Sequence, residues 1–441
     1  MSKFIIQGGK TLQGIYKVSG AKNAGPKLPI AALLSQEKCI FHNIPRISDT
    51  EKTVETLKSL GAKVVWIEKN SLEIECSNII SSTIPLESMS ARQSVLFIGA
   101  VLARTGQVSI YFPKGDAIGK RPLNRHLEGI KVLGGQITEQ NNHLEIKMPI
   151  RPNSVIYTFE KNTHCGTENL MLASVFNNGK VVLKNVAEEP EVDNLIDTLN
   201  QMGAKIKRIE NRVIEIEGVE PFLHSVETTS MFDRLEAATA LVLSVMHGGQ
   251  IVVENIQAEF LKPFLKILQA IGIEIIFEKN LARIIKINYP LKPAEIITAP
   301  HPGFVTDWQP PMTLLLAYLA KGKSLIHEKV FETRWRYLEE LKKTGLQYEL
   351  FHPESAQAED YNFNNSEYNA TQNYAAYIYG PINFQAAELN SYDVRAGMNM
   401  LLVSLVAQGE SIINDPQGHI DRGYENIVDK LKNLGADIER V

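Results

Sequence analysis

Charged and polar residues recur at the starts of apolar stretches along this 441-residue chain. Lys22 and Asn23 precede the first stretch, Arg92 opens the second, and Lys161 with Thr163 precedes the third. Asp233 and Arg234 open the fourth, Asp307 the fifth, and Asp393 with Arg395 the sixth. Helix N-termini carry unpaired N–H groups and a positive dipole end, so several brought together make an anion site. Singly, each has a structural explanation. Asp307 in VTDWQPP suits an N-cap, Arg92 a surface position, and Arg422 in HIDRGYE a helix-start ion pair with Glu425. Recurrence at the same place favours one shared site. A second cluster, FPKGDAIGKRP at 112–122, holds Lys114, Gly115, Asp116, Gly119, Lys120 and Arg121. Its glycine spacing and the lack of a following Ser or Thr do not fit a P-loop. Glycines beside charges suit a lid that brings charge to a cleft.

The elements that position these groups repeat. Six helices close on a glycine and run into a strand, at Gly61, Gly134, Gly203, Gly272, Gly345 and Gly435, with intervals of 73, 69, 69, 73 and 90 residues. A Gly just past a helix reaches the left-handed cap conformation without strain. SDTEKTVETLKSLG opens with a capping box from Ser48 to Glu51 and places Val54, Leu57 and Leu60 on one face. The alternating helices, such as NMLLVSLVAQ and EAATALVLSVM, are apolar nearly all round, as buried helices are. The periodicity therefore predicts an α/β chain of six βαβαβ-type units, each with one surface and one buried helix on a small sheet. Length divides it into two domains of three units, 21–231 and 232–441, with residues 1–20 returning to the second. The long last interval holds an insertion near 353–375, read as a surface excursion.

A net charge of −4 with 22% charged residues excludes nucleic-acid binding by bulk electrostatics. The N-terminus lacks the apolar core of a signal peptide, and no apolar run approaches a membrane span, so a cytoplasmic location is expected. Cys39, Cys76 and Cys165 form no CxxC pair, which suits a reducing compartment and excludes a cysteine-rich metal site. His164 and Cys165 are adjacent, with no third partner that makes them a dyad, and a packing role is expected.

VSGAKNA at 18–24, GDAIGKRP at 115–122, TAPHPGFVTDWQ at 298–309, VFETRW at 330–335, YDVRAG at 392–397 and the last 23 residues resemble the UDP-N-acetylglucosamine enolpyruvyl transferases, in order and end to end. The resemblance implies an inside-out α/β barrel of two domains around a cleft that closes on substrate. It implies transfer of the enolpyruvyl group of phosphoenolpyruvate to a sugar 3′-hydroxyl, the first committed step of peptidoglycan synthesis, with no metal or organic cofactor. Phosphoenolpyruvate carries phosphate and carboxylate, and the Arg fork suits both. The matching anion-binding positions are Lys22, Arg92, Arg121, Arg395 and Arg422. The nucleotide-sugar positions are Asn23, Arg121, Pro122, Leu123, Asn124, Arg125, Lys161, Thr163, Asp307 and Val330. Asp307 matches the base near the sugar hydroxyl, Asp393 a second essential carboxylate, and Lys22 is counted with the catalytic groups.

Two departures stand out. Asp116 occupies a position where most members carry a Cys that fosfomycin alkylates, so resistance is expected. Asn124, Arg125, Thr163, His164, Cys165 and Gly166 also differ, on the uridine and diphosphate side. Two further readings therefore stay open, a transferase acting on another nucleotide or sugar acceptor and a non-catalytic nucleotide-sugar sensor. Retention of Asp116, Asp307, Asp393, Arg395 and Lys22 argues against the sensor. Small-molecule substrates, no nucleic acid, no membrane span and a monomer or weak oligomer complete the expectation.

Overall fold

One strand-pairing scheme recurs through the molecule. A parallel pair of strands continues on one side into two antiparallel pairings, as in the sheet Glu388–Asn390, Gly409–Asp415, Ser2–Gly8 and Asp437–Arg440. Four more sheets pair in the same way. A sixth, of Gln107–Tyr111, His143–Lys147 and Gln136–Gln140, has three strands and a single parallel bridge from Thr83 to Ser109 in place of the fourth. Among the described residues every sheet is open. The computed structural model describes residues 2–113, 116 and 118–441. Lys114, Gly115 and Ala117 of the charged loop lie outside the described residues.

The chain divides into two compact units. The first comprises Met1–Ser19, Asp116–Lys120 and Phe232–Val441; the second comprises Gly20–Gly115 and Arg121–Met231. Each holds three of the sheets. In the first unit, the helices Arg234–Met246 and Val394–Val406 each pack on Gln309–Leu319, and every residue of the first two is buried. In the second, Leu96–Thr105 packs on His164–Ser174 and on Leu28–Leu34. That last segment is a 3-10 helix. Pro29 at its start brings no N–H to an α-helical ladder.

The amphipathic helices behave as their pattern implies. In Pro190–Gln201, Val192, Leu195, Ile196 and Leu199 are buried, and Glu191 and Asp193 lie in its first turn. The six helix-closing glycines all have positive φ, from 93° to 109°, which a residue with a Cβ adopts only under strain. The capping box of Ser48 and Glu51 does not form. Ser48 is already helical, and Ile47 in extended conformation precedes it with no side-chain cap. The Ile47 carbonyl accepts from the amides of Thr50 and Glu51, while the Thr50 hydroxyl donates to the Pro45 carbonyl.

His126, on the helix Asn124–Val132, is buried against Asn169 of the neighbouring helix. Burial first, then the charges of Arg92 and Arg125, push its pKa down to about 3. The unfolded chain binds a proton near pH 6.5 that the folded state refuses, so this contribution to stability is complete above that value. It is lost as pH falls from about 6.5 towards 3, at roughly 1.4 kcal/mol per pH unit. In His126→Gln the acid limb of a stability–pH curve, measured by denaturant titration, should be shallower than in the native protein between pH 6 and 4. Parallel limbs would remove His126 as a cause.

Candidate functional site

Asp307 is the centre of the polar network in the first unit. It lies in a 3-10 turn, Thr306–Trp308, that leads into the buried helix Gln309–Leu319. The cap residue of that helix is Trp308, with no side-chain cap bond, so Asp307 is not held there by capping. Its carboxylate is instead gripped from two sides. Arg334 Nη1 donates to Oδ1 at 2.7 Å, and Arg395 Nε donates to Oδ2 at 3.1 Å. Burial acts to raise the Asp307 pKa, but the two guanidinium groups outweigh it and hold the carboxyl well below the usual range. Both arginines are almost fully buried, whereas the Asp307 side chain keeps 22% exposure. Arg334 also donates to the Thr306 hydroxyl at 2.9 Å, which in turn donates to the buried Glu328 at 2.8 Å. Arg395 donates through Nη1 to the Tyr424 hydroxyl at 3.0 Å. Its Nη2 is buried with no hydrogen-bond partner among the described residues. A buried guanidinium with a spare donor suits an anion.

Asp393 caps the helix Val394–Val406, accepting from the amides of Arg395 and Ala396. Burial pushes its pKa up, with the nearby Asp116 charge adding to the rise and Arg334 opposing it. Asp116 meets Arg422, whose Nη1 lies 2.6 Å from Oδ1, and His419 at 3.5 Å. Val330 donates its amide to Glu328 at 2.8 Å, immediately before the Glu332 and Arg334 of the same motif. Thus Asp307 with Arg395, and Asp116 with Arg422, are joined pairs within this unit.

The second unit holds the other candidates. Lys22 Nζ lies 2.9 Å from the buried Asp49 carboxylate, and the Asp49 carbonyl accepts from Gln93 at 2.8 Å. Lys22 and the segment of Arg92 are thereby tied through one residue. Arg92 donates to the Arg121 carbonyl at 2.6 Å and to that of Pro113 at 3.4 Å. Burial, then repulsion from Arg121, lowers its pKa to about 10, so it remains a cation at neutral pH. Arg121 has φ of +45°, a conformation unusual for a residue with a Cβ and one that clusters at ligand sites. Pro122 and the buried Leu123 lead into the helix that Asn124 and Arg125 begin. Arg125 donates to the Asn162 carbonyl at 3.1 Å. Thr163 is the N-cap of His164–Ser174, accepting from Gly166, with half-buried Lys161 just upstream. Asn23 is half-buried beside Lys22.

The packing role expected of His164 is incomplete. Its Nε2 lies 3.1 Å from Glu168 and 3.0 Å from Lys27, and Lys27 itself pairs with Glu168 at 2.7 Å. The signal was present in HCGTE, where His and Glu stand four apart on one helix face. Lys27, distant in sequence, gave none. Arg334, His419 and Tyr424 were likewise missed, although all three lie in segments that carry the resemblance. Among the described residues no group of three or more His, Cys, Asp or Glu side chains is placed to hold a metal ion, and no helix is long and apolar enough to cross a membrane.

The EPSP synthase (3-phosphoshikimate 1-carboxyvinyltransferase) family model matches residues 6–431. The UDP-N-acetylglucosamine 1-carboxyvinyltransferase 2 of Carboxydothermus hydrogenoformans is 36% identical over 443 residues, covering 100% of both chains. The UDP-N-acetylglucosamine 1-carboxyvinyltransferase of Chlamydia pneumoniae is 38% identical over 440 residues, covering 97% of this chain and 93% of its own. In fold, the chain superposes on the enolpyruvyl transferase NikO from Streptomyces tendae with a TM-score of 0.86 at 20% identity, covering 100% of this chain and 99% of that one. An α/β protein with these matches along its whole length belongs to the EPSP synthase family of carboxyvinyltransferases and, within it, to the UDP-N-acetylglucosamine 1-carboxyvinyltransferases.

Proposed function

We propose that the chain transfers the enolpyruvyl group of phosphoenolpyruvate to the 3′-hydroxyl of UDP-N-acetylglucosamine with release of phosphate, the first committed step of peptidoglycan synthesis. The observation that carries the chemistry is the Asp307 carboxylate held between Arg334 and Arg395, with a spare buried donor on Arg395. The whole-length similarity to two UDP-N-acetylglucosamine 1-carboxyvinyltransferases supports the acceptor.

In the addition step the acceptor oxygen bonds to C2 of phosphoenolpyruvate, its proton passes to Asp307, and a proton is delivered to the C3 methylene. In the elimination a proton leaves the new methyl group, the C2–O bond to phosphate breaks, and phosphate departs. A carboxylate clamped by two guanidinium groups is a weak base. An anion that takes over Arg395 leaves Asp307 with Arg334 alone and strengthens it as a base. The order of events follows: phosphoenolpyruvate engages Arg395, and Asp307 is then ready for the acceptor proton. Lys22, Arg92, Arg121 and Arg422 supply the remaining positive charge for the substrate phosphate and carboxylate. Asp116 and Asp393 are the further carboxylates available for proton transfer. Asn23, the 121–125 segment, Lys161, Thr163 and Val330 take the nucleotide sugar.

The finer architecture belongs to the same reading. Three sheets around three buried helices in each unit support an inside-out barrel of six repeated βαβαβ-type units, with domains of 21–231 and of 1–20 plus 232–441. We place the protein in the cytoplasm, as a monomer or weak oligomer, and expect it to resist fosfomycin through Asp116.

A second reading is favoured by one observation. Asn124, Arg125, Thr163, His164, Cys165 and Gly166 depart from the resemblance on the nucleotide side, and His164 is engaged by Lys27 and Glu168; an enolpyruvyl transferase with another nucleotide or sugar acceptor would account for such changes. The test of the reaction class is phosphate release from phosphoenolpyruvate. It should require a nucleotide-sugar acceptor and yield an enol ether on that sugar. Phosphate release without an acceptor, or none with any nucleotide sugar, would sink both readings.

A further inference from the structure

In four sheets the last hairpin turns through two residues: 69–70, 141–142, 211–212 and 279–280. Between the paired strands Gln347–Phe351 and Ala375–Gly380 the corresponding turn runs from 352 to 374. The sequence reads this insertion as a surface excursion with no chemistry assigned to it. It instead has its own apolar centre of Tyr361, Phe363 and Tyr374, flanked by Tyr368 and Ala356. The rings of Tyr361 and Tyr374 lie 4.6 Å apart. Such ordering is not needed to close a hairpin, which two residues accomplish.

This small core is docked on the segment that carries the VFETRW motif. The Glu328 amide donates to the Tyr374 carbonyl at 2.9 Å, and the Asn362 amide donates to that of Lys329 at 2.8 Å. His327 Nε2 meets the Tyr361 hydroxyl at 3.1 Å, and the Gln372 side chain donates to the Glu332 carbonyl. The same segment then holds the backbone beside Asp116. The Lys120 amide donates to the Glu332 carboxylate at 2.6 Å, and the Thr333 amide donates to the Ile118 carbonyl at 3.2 Å. Glu332 is 4% exposed, and a buried carboxylate requires such donors. Gly119 fits closely, since a Cβ there would sit 2.3 Å from Glu332 Oε2.

We propose that the 352–374 excursion is a positioning element for the reaction. Through Gln372 and the docked 327–333 segment it fixes Glu332, and Glu332 fixes the backbone of 118–120 and hence the placement of Asp116 beside Arg422. The role rests on the proposed enolpyruvyl transfer, but the placement itself is measurable without turnover. Glu332 and Gln372 are positioning residues; neither touches the reacting atoms.

The experiment compares Glu332→Ala, Glu332→Gln, Gln372→Ala and the native chain by amide hydrogen exchange, steady-state kinetics and thermal melting. In Glu332→Ala, exchange at the Lys120 amide should quicken by about tenfold or more, as expected when a local bond is lost. Turnover should fall by about tenfold with KM for both substrates within about twofold, because placement of a proton-transfer group acts on kcat. Glu332→Gln, which keeps an acceptor oxygen for the amide, should recover both quantities to within about threefold. Gln372→Ala should show the same changes, smaller in size. Unchanged Lys120 exchange in Glu332→Ala and Gln372→Ala would overturn the proposal. So would altered exchange with undiminished kcat, or a loss of kcat that follows the melting temperature and is not recovered by Gln. If the native protein turns over no nucleotide sugar, the functional reading fails, while the exchange measurement still decides whether the excursion holds 118–120.

Discussion

Asp307→Asn should lower turnover by at least about a hundredfold, the scale of losing a general base. The amide keeps the size of the side chain and one acceptor oxygen, but it cannot take the proton of the acceptor hydroxyl. It also leaves Arg334 and Arg395 buried beside a neutral group. Removal of one partner from a buried ion pair costs about 3–5 kcal/mol, so the melting temperature should fall as well. The pH profile separates the two effects. A base must be deprotonated to act, so activity is lost as pH falls through its pKa. In the free native enzyme two arginines hold that pKa well below the ordinary carboxylate range, and the acid limb of kcat/KM should be displaced accordingly. In the ternary complex the substrate anion shares Arg395, so the acid limb of kcat should appear at higher pH. Near-normal turnover in the folded variant would make Asp307 only an anchor for the two arginines.

Exchanging the Asp116 carboxylate for a thiol should yield an enzyme that fosfomycin inactivates with time, whereas the native protein is expected to resist it. Arg422 at 2.6 Å and His419 at 3.5 Å from the carboxylate oxygen show what a thiol at this position would face. The adjacent Arg422 guanidinium favours thiolate, the nucleophilic form, and thiolate opens an epoxide that a carboxylate attacks far more slowly. Asp116→Cys should keep part of its turnover, since both groups move protons although their reference pKa values are about 3.9 and 8.5. The measurement is residual activity against time of exposure, with the adduct mass located in the chain. A covalent adduct on the native protein, or an inert Asp116→Cys that still turns over, would show that residue 116 is not the reactive position.

Local patterns were readable in proportion to how local their causes are. The glycines that end helices work through their own φ, so the series from Gly61 to Gly435 was visible in sequence and all six have positive φ. The buried helices announced themselves through composition, because a segment covered on every side has no polar face. The Ser48 box misled because its spacing was right while the chain from Pro45 to Ile47 enters the helix one residue early. Asp307 was singled out, but as a candidate cap or base. The two arginines that grip it are 27 and 88 residues away, a separation at which no spacing rule operates. Lys27 and His164 are 137 apart for the same reason. The insertion was legible as extra length between two repeats. Its aromatic centre was not, since Tyr361, Phe363, Tyr368 and Tyr374 follow neither helical nor strand periodicity.

The most direct measurement is the specificity of the purified protein for its acceptor. Phosphate release is followed with phosphoenolpyruvate saturating while UDP-N-acetylglucosamine, other uridine nucleotides and other nucleoside diphosphate sugars are varied. A pocket whose polar groups match one base and sugar discriminates by large factors, because a wrong acceptor leaves those groups unpaired. UDP-N-acetylglucosamine is expected to give the highest kcat/KM, with the enolpyruvyl group on the 3′-oxygen of the product. A different acceptor ahead by about tenfold or more, some 1.4 kcal/mol in transition-state binding, would contradict the cell-wall assignment and give Asn124, Arg125 and His164 to another nucleotide or sugar.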